Sequence, residues 1–169
     1  HIKRVIVLFL VNRVFEGTNP RYFSIKVKLL RSIGWQIGSN TSIVGPIICT
    51  GQLEIGDNCW VGTNFVVREN GRVKLGNNID VAPDVTCLTG THEIGDSTRR
   101  AGRGYNCDIT IGDGCWIGGN STIVNNVSIG QATVVAACAC VCKDVPHNAL
   151  VGGVPARIIK VLGDERTHL

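Results

Sequence analysis

The sequence predicts an all-β solenoid, a parallel β-helix of six-residue repeats, and three features of one stretch predict it. From Ile111 to Val145 an aliphatic residue opens every hexad: Ile111, Ile117, Ile123, Ile129, Val135 and Val141. The fifth place of each hexad is small or of modest size, running Cys115, Ser121, Val127, Thr133, Ala139 and Val145. Gly, Asn and Asp recur between them (Gly112, Asp113, Gly118, Asn120, Gly130), where corners need a tolerant backbone. A period of six matches neither an amphipathic helix nor an alternating strand. A short fixed period instead marks a coil whose turns stack on one another.

Residues 1–34 form a separate apolar and basic region without hexads. Two short helices are expected there, about Lys3 to Val14 and Phe23 to Ser32, broken at Gly17-Thr18-Asn19-Pro20. The apolar run Val5 to Val11 is too short to span a bilayer. A buried or interfacial helix is expected. With Lys3, Arg4, Arg13, Arg21, Lys26, Lys28 and Arg31 nearby, weak contact with a membrane surface is the alternative.

Residues 35–145 are expected to be the coil. Its hexads begin near Ile37 and Ile43, lose register around Pro46 to Leu53, and resume at Ile55, Val61, Val67 and Val73. A two-residue slip then moves the phase to Leu75, Val81 and Cys87. Residues 88–108 carry no hexad and read as an inserted loop, which in a solenoid often maps to the binding face. Residues 146–169 read as a turn and a basic tail that caps the open end of the coil.

Composition narrows the classes. Of 169 residues 44% are hydrophobic and only 18% charged, which argues against a disordered chain. The net charge of +4 permits an anionic substrate but is too dispersed for nucleic acid. The chain starts at His1 and has no methionine, so the natural N-terminus is expected to be missing or trimmed. The eight cysteines form no CxxC pair and no zinc-spaced cluster with histidine. They are expected to be free thiols, with no metal, in a reducing compartment such as the cytoplasm.

Three segments carry a family resemblance: IGDGCWIGG (Ile111 to Gly119), AACACVCKDVP (Ala136 to Pro146) and GGVPARIIK (Gly152 to Lys160). Through them, Ile37 to Lys160 resembles the hexapeptide-repeat acyltransferases, most of all the maltose, galactoside and capsular-polysaccharide O-acetyltransferases. The resemblance implies a left-handed coil and a homotrimer with active sites between subunits. It also implies acetyl-CoA as acyl donor and a saccharide acceptor. His92, in TGTHEIGD, matches the family's catalytic histidine, and Trp116 the tryptophan beside the thioester. Gly119, Ala137, Cys142, Lys143, Arg157 and Lys160 fall on the coenzyme A groove. Asn64, Asn70, Arg99 and Arg100 are the candidates on the acceptor side. There are departures: Cys142 replaces a groove threonine, Glu93 follows His92 where proline is usual, and Gly62 and Asn70 replace two acceptor-site residues of the galactoside enzymes.

The chemistry fits these residue types. Acyl transfer to a hydroxyl needs a base, and a positioned histidine contributes roughly 10²–10⁴-fold. A carboxylate of Glu93 or Asp96 could orient His92, the alternative being that both are ordinary loop carboxylates. The oxyanion is expected to meet the Trp116 indole or a backbone N–H near Gly118. No cysteine has a histidine beside it in sequence, so direct transfer is expected rather than an acyl-enzyme. The alternatives are N-acylation of an amino sugar, serine acetylation, or a non-catalytic scaffold in which His92 is an ordinary loop histidine.

Overall fold

The computed structural model describes residues 2–163. His1 and the end of the expected capping tail, with His168, lie outside the described residues. All six hexad-opening residues from Ile111 to Val141 and all six fifth-place residues are buried, so both sets point into the coil. Successive strands therefore pair in parallel at each face instead of forming hairpins. The first face stacks Gln36–Ile37, Gln52–Ile55, Arg72–Leu75, Ile109–Ile111 and Ser128–Ile129. The second stacks Ser42–Ile43, Trp60–Val61, Asp80–Val81, Trp116–Ile117, Val134–Val135 and Ala149–Gly152. The third stacks Ile47–Cys49, Phe65–Arg68, Thr86–Leu88, Thr122–Val124 and Cys140–Val141.

The register gives the length of each turn. Ile37 pairs with Ile55, Ile55 with Leu75, Leu75 with Ile111, and Ile111 with Ile129. An ordinary turn is thus three hexads, the second turn holds two extra residues, and the third holds the insertion. The expected loss of register around Pro46 to Leu53 does not occur. Cys49 holds the hexad place between Ile43 and Ile55 and is buried like them; a thiol there packs as a small hydrophobe. Corners turn through left-handed residues, mostly Asn, and adjacent corners bond one another. Asn40 Nδ2 donates to Asn58 Oδ1 and Asn58 Nδ2 to Asn78 Oδ1, each at 3.3 Å.

Helix α1 (Ile2–Phe9) runs on as a π-turn over Leu10–Val14. Helix α2 (Pro20–Arg31) starts where Asn19 Oδ1 accepts the Arg21 N–H, with Pro20 in the first turn. Both helices lie on the first turn of the coil. Asn12 bonds both backbone groups of Ile47, at 2.9 Å each. Buried Lys26 donates to the carbonyls of Gly17 (3.0 Å) and Val44 (2.8 Å). At the other end, Arg157–Val161 folds back antiparallel on Ala149–Gly152.

Candidate active site

The insertion is a β-hairpin, with Gly90–Ile94 antiparallel to Ala101–Asn106. Alternating glycines explain how it holds His92. Gly104 pairs directly across from His92, and its missing side chain leaves room for the imidazole. A Cβ there would sit 3.3 Å from His92 Cε1. The Nδ1 of His92 lies 2.9 Å from the carbonyl oxygen of Gly102. A carbonyl only accepts, so Nδ1 carries the proton in this bond, and in the neutral ring the lone pair is on Nε2. The expected orienting carboxylate is not what holds the ring. Glu93 is exposed on the outer hairpin, and the Gly102 carbonyl takes the place proposed for it. Asp96 instead accepts from the Thr98 hydroxyl and N–H and from the Arg99 N–H, bonds that lower its carboxyl pKa.

Two irregularities of the repeat meet at this point. The two extra residues of the second turn fall at the corner Glu69-Asn70-Gly71, and the hairpin springs from the coil directly above it. Asn106 Oδ1 accepts the Asn70 N–H at 3.2 Å, and buried Thr89 Oγ accepts the Gly71 N–H at 3.0 Å. Glu69 is left-handed (φ 67°), and its side chain lies over Gly90, where any Cβ would overlap Glu69 Cγ. A cavity of about 410 Å³ results, lined by Glu69, Gly90, Thr91, His92, Gly104, Tyr105 and Asn106. Sequence reading missed Glu69 and Tyr105. The only signal for Glu69 was the two-residue slip itself.

A second cleft of about 330 Å³ lies on the second face, lined by Trp116, Gly119, Ala137, Val134, Leu150 and Ile159 among others. It brings Trp116, Gly119 and Ala137 together. Trp60, at the same place two turns earlier on this face, packs edge-on to Phe23 of α2 at 5.5 Å between ring centroids. Trp116 has no such partner among the described residues and is 47% exposed. The Gly118 N–H is already bonded to Val135 O at 2.8 Å, so the Trp116 indole and the neighbouring Gly119 N–H, both in the cleft lining, are the candidate donors. Arg157 and Lys160 flank this cleft's Ile159 along the terminal strand, and Lys143 is exposed. Cys142 does not line it; its sulfur lies 3.6 Å from that of Cys140.

The remaining acceptor-side candidates divide. The Asn64 amide is committed to its neighbouring corner, donating to Asp84 at 2.9 Å. Asn70 does not line the His92 cavity; its N–H donates to Asn106, which does. Arg99 and Arg100 lie at the hairpin tip, where Arg100 bonds the Gly95 carbonyl at 3.2 Å. All eight cysteines are free. Burial pushes Cys87 up to about 12 and Cys49 to about 11, so these thiols stay protonated inside the coil. The described residues contain no helix long and apolar enough to cross a membrane.

No protein-family model matches the chain. It is 30% identical to the galactoside O-acetyltransferase of Escherichia coli K12 over 156 residues, 91% of this chain and 77% of that one. It is 26% identical to the galactoside O-acetyltransferase of Lactococcus lactis, over 89% of this chain and 74% of that one. Among solved structures, the hexapeptide-repeat acetyltransferase of Vibrio cholerae in complex with acetyl-CoA superposes with a TM-score of 0.82. It is 28% identical, covering 96% of this chain and 86% of that one. A galactoside acetyltransferase in complex with coenzyme A gives 0.80 at 27% identity, covering 96% and 82%. The chain belongs to the hexapeptide-repeat acyltransferases, enzymes built on the left-handed β-helix.

Proposed function

We propose that this protein transfers an acetyl group from acetyl-CoA directly to a hydroxyl of a saccharide, with His92 as general base. The observation that carries the reading is the His92 bond to Gly102. With Nδ1 held as the donor, the neutral ring has its lone pair on Nε2, in a cavity whose other polar walls are Glu69, Thr91, Tyr105 and Asn106. A sugar suits those walls, since a ring face stacks on tyrosine and hydroxyls bond carboxylate and amide groups. The galactoside names of the relatives support a saccharide acceptor.

In this mechanism Nε2 takes the proton as the hydroxyl oxygen attacks the thioester carbonyl. The Gly102 carbonyl supports the imidazolium that forms. The Trp116 indole N–H is assigned the developing oxyanion, a role whose removal costs roughly 10²–10³ in rate elsewhere. Collapse expels the thiolate, which recovers the proton from His92. The apolar cleft fits the donor's uncharged arm, and Lys143, Arg157 and Lys160 are assigned its phosphates. No acyl-cysteine is needed.

The His92 cavity and the Trp116 cleft share no lining residue within one chain. A reaction that needs both fits the junction of two subunits, and the family resemblance supports a closed homotrimer. Unpaired thiols favour a reducing compartment such as the cytoplasm. The test is acetyl-CoA titration by calorimetry with a saccharide acceptor screen, on wild type and His92→Ala. Binding by both with transfer lost only in the variant supports the reading. Absence of binding by either, or full transfer by the variant, overturns it.

A further inference from the structure

Helix α1 buries Val7 and, one turn on, Val11 against the coil, yet it also presents an apolar face to solvent. Ile2, Val5, Ile6 and Phe9 are 76%, 57%, 54% and 60% exposed. They fall at i, i+3, i+4 and i+7, which places them on one stripe. Four large side chains ordered into a stripe are more than the scattered apolar residues of a normal surface. Val14 extends the exposed apolar surface at the end of the π-turn.

Charge decides what the stripe meets. The first 33 residues hold seven of the chain's 17 basic residues and one of its 13 acidic ones, Glu16. Lys26 is buried, and Lys3, Arg4 and Arg31 donate to the carbonyls of Ser32, Cys49, Ile37 and Gly38, so Arg13, Arg21 and Lys28 are the exposed cations with no protein partner among the described residues. The rest of the chain carries more acidic than basic residues. An exposed apolar stripe on a region of strongly positive net charge is the pattern of a helix that lies in the headgroup boundary of an anionic bilayer. Pairing of the stripe with a second copy of itself would bring two cationic rims together, which opposes that contact.

We propose that the solvent face of α1 docks this enzyme on an anionic membrane surface. The helix lies along the interface with Ile2, Val5, Ile6 and Phe9 inserted and the exposed cations of the region, Arg13, Arg21 and Lys28, on lipid phosphates. The coil then stands off the membrane from its first turn. This surface is separate from both clefts and does not depend on the reaction assigned to them.

The experiment is co-sedimentation with vesicles of phosphatidylglycerol and phosphatidylcholine, against phosphatidylcholine alone, without acetyl-CoA. Wild type is expected to sediment with the anionic vesicles and to be released by high salt. The pair Ile6→Asp with Phe9→Asp is expected to weaken partitioning about tenfold, with melting temperature and size unchanged. Arg13→Gln with Arg21→Gln is expected to weaken it less and to flatten the salt dependence. Wild type that stays in the supernatant with anionic vesicles overturns the proposal. So does undiminished binding by the Ile6/Phe9 variant, or a smaller assembly in that variant, which would assign the stripe to a neighbouring copy.

Discussion

The side chain of Glu69 lies across the α-carbon of Gly90, and each residue is there because of the other. Glu69 reaches over the root of the hairpin from a left-handed corner two residues longer than the corners below it. Only glycine at position 90 lets it do so. Gly90→Ala is expected to displace the carboxylate and raise the acceptor KM about tenfold, with acetyl-CoA affinity unchanged. Glu69→Gln should reproduce the KM effect without the steric change. Steady-state kinetics with the acceptor varied at saturating acetyl-CoA checks both.

Gly104 is to His92 what Gly90 is to Glu69. A methyl group at Gly104 would stand 3.3 Å from Cε1, tighter than an ordinary contact, so the ring must shift by a few tenths of an ångström. Gly104→Ala is therefore expected to lower kcat about tenfold while leaving the acetyl-CoA KM and the melting temperature as they are. Equal kcat in the variant would mean that the ring does not need this exact placement for turnover.

Trp116 and Trp60 form a natural pair of controls. Trp60 is packed on Phe23, whereas Trp116 lines the apolar cleft. Trp116→Ala is expected to weaken acetyl-CoA binding and turnover with little change in thermal stability. Trp60→Ala is expected to lower the melting temperature and spare the chemistry. Melting curves and acetyl-CoA titrations of the two variants separate these roles.

Lys26 ties the N-terminal helices to the coil, and burial lowers its pKa from 10.5 to about 8. The neutral amine still has two hydrogens for the Gly17 and Val44 carbonyls. Between pH 8 and 10.5 the unfolded chain keeps a proton that the folded chain has lost, so this group adds stability as pH rises through that window. The buried thiols act oppositely. Their folded pKa values lie above 9.0, so the unfolded chain loses protons first and stability falls above that pH. The contribution of Lys26 is isolated as the difference between wild type and Lys26→Met. That difference is expected to move in favour of wild type from pH 8 to 10.5 in thermal melts.

The coil was legible because its period reports what every residue stacks on. Ile111 to Val145 identifies its inward side chains without any long-range information, and all of them are buried. The unbroken register from Ile43 through Cys49 to Ile55 was harder, because Pro46 and the polar run from Thr50 to Gln52 interrupt the aliphatic pattern there. The His92 cavity was legible only in part. His92 stood out by its motif, but Glu69 reaches it through an irregular corner, and periodicity carries no information about what irregular segments build together. Glu93 drew attention as the neighbour of His92 in sequence. In a strand, adjacent side chains point to opposite faces, so the nearest residue in sequence is a poor partner. The group that holds the ring comes from the facing strand, through a backbone carbonyl that no sequence pattern marks.

The central claim is that His92 of one subunit works with Trp116 of another, and subunit mixing tests it most directly. His92→Ala and Trp116→Ala chains are co-expressed with different tags, and mixed assemblies are isolated and assayed at limiting acetyl-CoA. Each variant alone should be nearly inactive. In mixed assemblies some junctions receive both native side chains, so activity is expected to return well above either parent. If the two residues act within one chain, every chain carries a defect and mixing restores nothing; that result would contradict the account.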